Sequence, residues 1–306
     1  MNSNSEFGMR SAESGIGKVL RTLRWSVWLG WQIESNWADV RLFILYLIVK
    51  PVCGSMMLVC MFYAAKYATA SRIPAEFLPY MFVSNACYGL VGMFMFGMSN
   101  VVISDRETYK MLKYVFISPA QFQTYFFGRG LAKAMEGAAG GFIAILAGLA
   151  FPGIRNSLQV GNLDFVWLFA YLSVGFIMLW AAGMLLASAV LNMNRSSAFL
   201  SEGIAGVVYF LSGVVFPLSV LPSWLQPISV CLPTTYWMEG MRRAILGKPP
   251  EGSALAATPL TNWTNADLLF ALIGTTFGLV IAAQFFYRWS VRRAWRNGKI
   301  EETTGM

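Results

Sequence analysis

Histidine is absent from this 306-residue sequence, and only 12% of the residues carry a charge. Without histidine, the chain cannot form a Ser-His-Asp triad, a Cys-His pair or a His-ligated zinc or haem site. The cysteines form no CxxC pair, so they predict neither a zinc site nor a dithiol redox motif; they are Cys53, Cys60, Cys87 and Cys231. We therefore expect no metal site and no catalytic residue in this chain.

The charged fraction is about half of the roughly 25% that a soluble domain carries. Hydrophobic residues make up 57% of the chain, and the mean hydropathy is +0.55. A bilayer core about 30 Å thick requires about 20 apolar residues per helix, so long apolar windows predict membrane spans. Six such windows predict an all-α polytopic membrane protein: Leu42 to Ala65, Pro79 to Ile103, Leu131 to Phe151, Phe165 to Leu191, Leu200 to Pro217 and Leu268 to Trp289.

Lysine and arginine set the orientation of these spans, because cytoplasmic loops carry an excess of both. With both termini on one side, the opposite side holds only Lys66, Arg72, Arg155, Arg242, Arg243 and Lys248 of the 23 basic residues, and Lys50 lies within the first window. We therefore expect both termini in the cytoplasm, with an N-terminal part (1–41), a transmembrane domain (42–290) and a tail (291–306). The net charge of +8 then reflects orientation and anionic lipid, so membrane lipids are expected partners and nucleic acid is not.

The segment before the first span has the composition of a helix that lies in the membrane interface. Residues Ile16 to Asp39 mix apolar side chains with Lys18, Arg21 and Arg24, and they are rich in tryptophan. Tryptophan at headgroup depth and basic residues on lipid phosphates favour this position. A simple topological anchor is the alternative interpretation.

The first cytoplasmic loop, residues 104–119, predicts a short amphipathic helix from Asp105 to Tyr114. Ser104 can cap the start of this helix, and Asp105 and Glu107 suit the positive end of its dipole. Such a helix either covers the base of the bundle or presents charged and aromatic residues to a soluble partner. The residues alone leave both interpretations open.

The outer loop before the last span, residues 217–247, is too apolar for a solvated loop and too rich in proline for one long helix. Glu239 is spaced to pair with Arg242 and Arg243 at i+3 and i+4 of a helix. We expect two short helices that enter the outer leaflet. Irregular backbone at that depth persists only where it is buried in protein or lines a cavity.

The fifth window contains one charged residue and several glycines that suggest contacts. Glu202 lies just inside the membrane and is a candidate substrate or gate residue, with Arg195 as its expected structural partner. Gly203, Gly206 and Gly213 recur at near-helical spacing, which permits close helix packing. We assign these three glycines to the substrate path or to a contact between subunits, with packing inside the chain as the alternative.

Two runs of residues are specific enough to suggest a family. The outer run is Ser212-Gly213 through Phe216-Pro217, Leu221-Pro222, Trp224-Leu225, Pro233, Tyr236, Glu239, Arg242 and Leu246-Gly247; the cytoplasmic run is Asp105-Arg106-Glu107-Thr108 with Leu112 and Ser118-Pro119. With these runs and six spans, the whole chain resembles the permease subunits of ABC-2 type exporters, including drug-resistance, nodulation-factor and polysaccharide exporters. One departure is that Thr108 follows Glu107 directly, where the family often has Gly-Thr.

The resemblance implies roles for two groups of residues. It implies coupling to an ATPase subunit through Asp105, Arg106, Glu107, Thr108, Tyr109, Lys110 and Leu112. It implies an outer gate of re-entrant helices that contains Pro217, Pro222, Trp224, Pro233, Tyr236, Glu239 and Arg242.

The resemblance also implies partners in a bacterial inner membrane: a second copy or a homologous membrane subunit, and a nucleotide-binding subunit that holds ATP and Mg²⁺. The chain has no G-x-x-x-x-G-K-[ST] phosphate loop and therefore cannot hydrolyse ATP itself. We expect an exporter of a lipid-like, drug-like or glycan-lipid substrate. The alternatives are a secondary transporter and a polytopic membrane enzyme, although neither internal repeats nor a polar cluster at one membrane face favours them.

Overall fold

The computed structural model describes residues 15–36, 39–69, 73–118, 121–158, 163–193, 197–249, 255 and 258–296. Within these residues the chain is helical and contains no β-strand, which confirms the all-α class. In chain order, the helices are α1 (Gly15–Ser35), α2 (Val40–Ala68), α3 (Phe77–Thr108), α4 (Leu112–Ile117), α5 (Phe122–Gly148), α6 (Pro152–Arg155), α7 (Phe165–Leu191), α8 (Ser197–Leu211), α9 (Gln226–Cys231), α10 (Pro233–Leu246) and α11 (Asn265–Arg296).

Five of these helices, α2, α3, α5, α7 and α11, are long and apolar enough to cross a membrane. They confirm five of the predicted windows. Helix α7 has the same bounds as its window, and each of the other four helices extends beyond its window at one end or both. The fifth window is the exception, because α8 has 15 residues and spans only about 22 Å at 1.5 Å per residue. Gly213 then adopts a φ of 65°, which glycine tolerates and a continuing helix does not. The predicted helical end at Pro217 is therefore wrong.

Helices α3 and α7 form the centre of the bundle. In each of them, 61% of an apolar stretch of 18 residues is buried, whereas the buried share of such a stretch is 17% in α2 and 22% in α11. Helix α7 packs along α11 and α3, and α5 packs along α3, α2 and α1. Helix α3 includes two π-helical segments, Gly92–Phe96 and Ser104–Thr108. The apolar surface of α2 and α11 is left for lipid or for another subunit.

The bundle has two distinct ends. The base carries α1, α4 and the carboxyl end of α3, whereas the crown carries α9, α10 and the amino ends of α3, α7 and α11. At the crown, α10 approaches α7 closely because glycine occupies both contact points. A Cβ at Gly175 would lie 2.0 Å from Trp237, and a Cβ at Gly240 would lie 2.4 Å from Tyr171. Substitution of either glycine would therefore force the two helices apart.

Helix α1 matches the helix predicted before the first span. It packs along α5, where Gly128 faces Ser26 and Gly30 faces Ala132. On its open side, Trp25 and Trp28 remain 58% and 53% exposed. This amphipathic division is what an interfacial helix requires, and its position in a membrane remains a prediction.

Candidate functional site

A buried ionic cluster joins α3 to α5 at the base. The Asp105 carboxylate accepts a hydrogen bond from the Tyr125 hydroxyl at 2.7 Å and from the Arg129 guanidinium at 3.1 Å. The Asp105 and Arg129 side chains are 0% and 1% exposed. Because a buried charge is tolerated only when it is paired and hydrogen-bonded, this cluster fixes the carboxyl end of α3 against α5.

The neighbouring Arg106 points inward as well. Its guanidinium donates to the Met193 carbonyl oxygen at 2.8 Å, at the end of α7, and to Glu107 at 3.0 Å. At the base, the consecutive residues Asp105 and Arg106 therefore connect three of the long helices, α3, α5 and α7.

The amphipathic helix predicted from Asp105 to Tyr114 does not exist as one element. Ser104 lies inside α3 instead of capping a new helix, α3 ends at Thr108, and α4 begins only at Leu112. Lys110 adopts a φ of 51° between them, which interrupts the helix. The tertiary contacts of Asp105 and Arg106 override the local helical pattern, so these two residues are buried rather than presented.

The exposed part of the predicted coupling segment is shorter. Thr108, Tyr109 and Lys110 lie at the surface, and so does Tyr114 on α4, whereas Leu112 is buried beneath them. A groove of about 370 Å³ runs beside α4 and is lined partly by α1, including Arg21 and Trp25, and by Met111, Tyr114 and Tyr125. This groove lies at the base of the bundle, next to the exposed ring of Tyr114.

A second buried ionic cluster lies at the crown, on α10. The Glu239 carboxylate accepts hydrogen bonds from Arg242 at 2.7 Å and from Arg243 at 2.9 Å, which confirms the predicted pairing. Burial alone raises the pKa of Glu239, but the two guanidinium groups outweigh it and hold that pKa below its usual value. The carboxylate is therefore ionised at neutral pH.

Each arginine also anchors α10 to another part of the crown. Arg242 donates to the Gly213 carbonyl oxygen at 2.9 Å and to the Ser84 hydroxyl at 3.1 Å, and it stacks over the Tyr80 ring at 4.4 Å from the centroid. Arg243 donates to the carbonyl oxygens of residues 260 and 263, before α11. Helix α10 is thus connected to the start of α3, the end of α8 and the start of α11.

The sequence predicts that Gly203, Gly206 and Gly213 share one helix face, but Gly213 does not lie on the face that the other two occupy. It is buried beyond the end of α8, where its carbonyl oxygen also accepts the Tyr80 hydroxyl at 3.2 Å. By contrast, a Cβ at Gly203 or Gly206 would meet no atom within 4 Å. Gly213 therefore belongs to the crown cluster, and the other two glycines face away from the bundle.

The remaining residues of the predicted outer gate are spread across the crown. Pro217 and Tyr236 are buried, Pro233 is the first residue of α10, and Pro222 and Trp224 are exposed. Tyr236 stacks on Trp263 with 5.8 Å between ring centroids. The structure therefore brings Tyr236, Glu239 and Arg242 together on one short helix, and it leaves Pro222 and Trp224 at the surface.

Glu202 is exposed on α8 and lines a cavity of about 460 Å³ that Lys50 and Glu136 also line. Its predicted partner, Arg195, lies outside the described residues. Among the described residues, no group of three or more Cys, Asp or Glu is arranged to hold a metal ion.

Sequence reasoning missed the partners that complete both clusters. Tyr125 and Arg129 at the base lie 20 and 24 residues from Asp105, and Ser84 at the crown lies 158 residues from Arg242. One signal was available, namely Arg129 just before the third apolar window, because a charged side chain at a membrane span pairs with another charge or with backbone carbonyls.

A comparison with protein families identifies one match. The family model described as ABC-2 type transporter covers residues 22–246, more than half of the chain, from α1 through the crown cluster on α10. No curated protein matched the chain at a significant level.

Proposed function

The chain belongs to the ABC-2 type transporter family and is a multi-pass permease subunit that works with an ABC ATPase, and from this premise we propose that it exports its substrate outward across a bacterial inner membrane. The proposed substrates are lipid-like, drug-like or glycan-lipid molecules, by fold-level analogy. The observation that carries the proposal is that both ends of α3 are held by buried charges, Asp105 at the base and Arg242 at the crown.

The proposed mechanism follows from this arrangement. The ATPase subunit docks at the groove beside α4, which Tyr114 lines, and on the surface next to it where Tyr109 and Lys110 are exposed. ATP binding and hydrolysis move the base as one body, because Asp105 ties α3 to α5. Helix α3 carries this movement to α10 through Arg242. Coupling requires two global states that each end biases, and the π-helical segment Gly92–Phe96 gives α3 a place to change shape.

Substitution of the exposed aromatic residues at the base tests whether the ATPase subunit docks there. Replacing Tyr109 and Tyr114 together with alanine is expected to lower the ATPase activity that co-purifies with the tagged chain at least fivefold, because exposed aromatic side chains supply much of the energy of an interface. The permease itself should insert and melt as the wild type does, since the two side chains are 44% and 61% exposed.

Tyr67→Ala is the matched control for docking. Tyr67 is 92% exposed near the far end of α2, away from the proposed docking groove. Co-purification should not change in this variant. If the Tyr109 and Tyr114 double variant retained the full ATPase activity, neither the groove nor the surface next to it would be the docking site.

We also propose that a second copy or a homologous membrane subunit packs on the open face of α8, at Gly203 and Gly206. In a chain without its native cysteines, Gly206→Cys is expected to give a disulfide-linked dimer when copper phenanthroline is added. Gly278→Cys on α11, where a Cβ also meets no atom within 4 Å, is the control and should remain monomeric. Linkage at Gly278 alone would place the contact on α11 instead.

The proposed orientation places both termini in the cytoplasm and the crown outside. Cys231 is exposed at the end of α9, whereas Cys53 and Cys60 are exposed on α2 at depths that lipid would cover. A membrane-impermeant maleimide is therefore expected to label Cys231 in intact cells stripped of their outer membrane, and Cys231→Ser should abolish the labelling. Labelling of Cys231 only in inverted vesicles would reverse the orientation.

A further inference from the structure

A cavity of about 460 Å³ lies between α2, α3, α5 and α8 and has the character of a ligand site. Its volume falls within the roughly 300–1,000 Å³ of small-molecule sites. Its walls are mostly apolar, and three glycines widen it, since a Cβ at Gly54, Gly89 or Gly92 would meet no atom within 4 Å. The cavity therefore has free space next to apolar walls, as an amphiphilic ligand requires.

The charged side chains in the cavity wall differ in the partners that they have. Lys50 donates to the Tyr46 hydroxyl at 2.6 Å, and Glu136 pairs with Lys133 at 3.4 Å. Glu202 makes no ion pair with any residue that the structure describes. Lys50 also lacks an ion pair, but it has the hydroxyl and the ring of Tyr46 as partners, so among the described residues Glu202 is the charged group of the wall with no partner.

A second polar group in the wall is also unsatisfied. Ser55 is 1% exposed, and its hydroxyl oxygen has no hydrogen-bond partner among the described residues. Leaving a buried hydroxyl unpaired costs free energy that a ligand can recover.

The depth of the cavity follows from the position of Lys50 on α2. Lys50 lies ten residues into α2, about 15 Å along the helix at 1.5 Å per residue. The cavity therefore lies near the middle of a bilayer core about 30 Å thick.

We propose that this cavity binds an amphiphilic cation, with the apolar body of the ligand against the glycine-lined wall and its ammonium- or phosphonium-type group beside Glu202. This proposal rests on the proposed function, because the ligand would be the exported molecule. It narrows the substrate class to organic cations with large apolar groups, and it gives Glu202 the role of a binding residue.

Two probes of equal shape and opposite charge test the proposal. Tetraphenylphosphonium and tetraphenylborate are equilibrated separately with the full chain in nanodiscs of neutral lipid, and saturable binding is measured. We expect saturable binding of the phosphonium, weakened about tenfold by Glu202→Gln, because this variant removes the charge–charge attraction between the carboxylate and the cation. Lys50→Gln removes a repulsive charge and should tighten phosphonium binding.

Filling the cavity provides the matched comparison. Gly89→Leu places a side chain in the free space and should abolish saturable phosphonium binding. Gly274→Leu on α11, where a Cβ also meets no atom within 4 Å and which does not line the cavity, should bind as the wild type does. If tetraphenylborate binds saturably instead, and Gly89→Leu and Lys50→Gln each abolish that binding, the proposal is overturned in favour of an anionic ligand. Equal phosphonium binding by all the variants would show that only the lipid takes up the probe.

These outcomes separate the ligand class from the proposed function. The binding measurement uses the permease alone, whereas ATPase co-purification tests assembly. If the ATPase co-purifies with the chain but phosphonium binding is insensitive to Glu202 and Gly89, the cation proposal fails and the transporter proposal stands. Site-specific phosphonium binding without an associated ATPase would leave the binding site in place and contradict the transport mechanism.

Discussion

Replacing Glu239 with alanine is expected to abolish export and to destabilise the crown by about 3–5 kcal/mol, the typical cost of removing one partner from a buried ion pair. Arg242 and Arg243 are only 4% and 3% exposed. Without Glu239, both guanidinium groups lose their anionic partner in a place that water hardly reaches. A shift of this size exceeds what is needed to move a two-state gate more than tenfold.

The measurements for Glu239 are substrate export and thermal unfolding of the purified complex. Glu239→Gln keeps part of the hydrogen bonding and loses the charge, so it should have an intermediate effect and keeps the test informative if Glu239→Ala unfolds. Asp267→Ala is the control, because this exposed carboxylate at the start of α11 accepts hydrogen bonds from Thr264 and forms no ion pair within the described part of the chain. Wild-type export and melting by Glu239→Ala would show that Glu239 has no part in the proposed outer gate.

The pairing of Glu239 was predictable, and the rest of its cluster was not. Residues three and four apart meet on any α-helix, so the contacts with Arg242 and Arg243 follow from local spacing alone. The contacts of Arg242 with Ser84 and Gly213 join distant parts of the chain. They depend on how α10 packs on α3, which local periodicity does not specify.

The spans show the same division. Five of the six windows predicted from apolar length match helices that are long enough to span a membrane, because the width of the bilayer fixes the length of a spanning helix. The end of α8 depends instead on Gly213, whose left-handed backbone is accompanied by hydrogen bonds to its carbonyl oxygen from Tyr80 and Arg242. Composition alone does not distinguish such a glycine from Gly203, which lies inside the same helix.

The base shows where a local pattern misleads. The residues from Asp105 to Tyr114 have the spacing of an amphipathic surface helix, yet Asp105 is buried against Arg129. A carboxylate near an apolar span satisfies either a helix dipole or a buried arginine, and the second option becomes visible only when α5 is packed on α3. The proposed coupling role therefore divides between a buried connection and an exposed surface at Tyr109, Lys110 and Tyr114.

The buried pair of Asp105 and Arg129 is the basis of the second prediction with a large expected effect. Replacing Asp105 with alanine is expected to destabilise the permease by about 3–5 kcal/mol, because it leaves the Arg129 guanidinium buried without its anion. The Tyr125 hydroxyl would lose its acceptor in the same variant. Export should fail, since α3 and α5 would no longer move as one body. The measurements are the melting temperature of the purified permease and export by the assembled complex.

Two further variants separate the charge of Asp105 from the mechanical connection. Glu107→Ala removes the neighbouring carboxylate, which pairs only with Arg106 among the described residues. Because Glu107 is itself 25% exposed, water can partly replace its carboxylate, so this variant should destabilise the permease less than Asp105→Ala does. Asp105→Leu combined with Arg129→Met replaces the buried pair by apolar side chains, a change that is often neutral. Because the proposed role of the cluster is to hold two helices together, this double variant should regain the stability and most of the export that Asp105→Ala loses. Recovered stability with no recovered export would assign the Asp105 charge itself to the transport cycle, and a fully stable Asp105→Ala would show that α3 and α5 are held by their apolar packing alone.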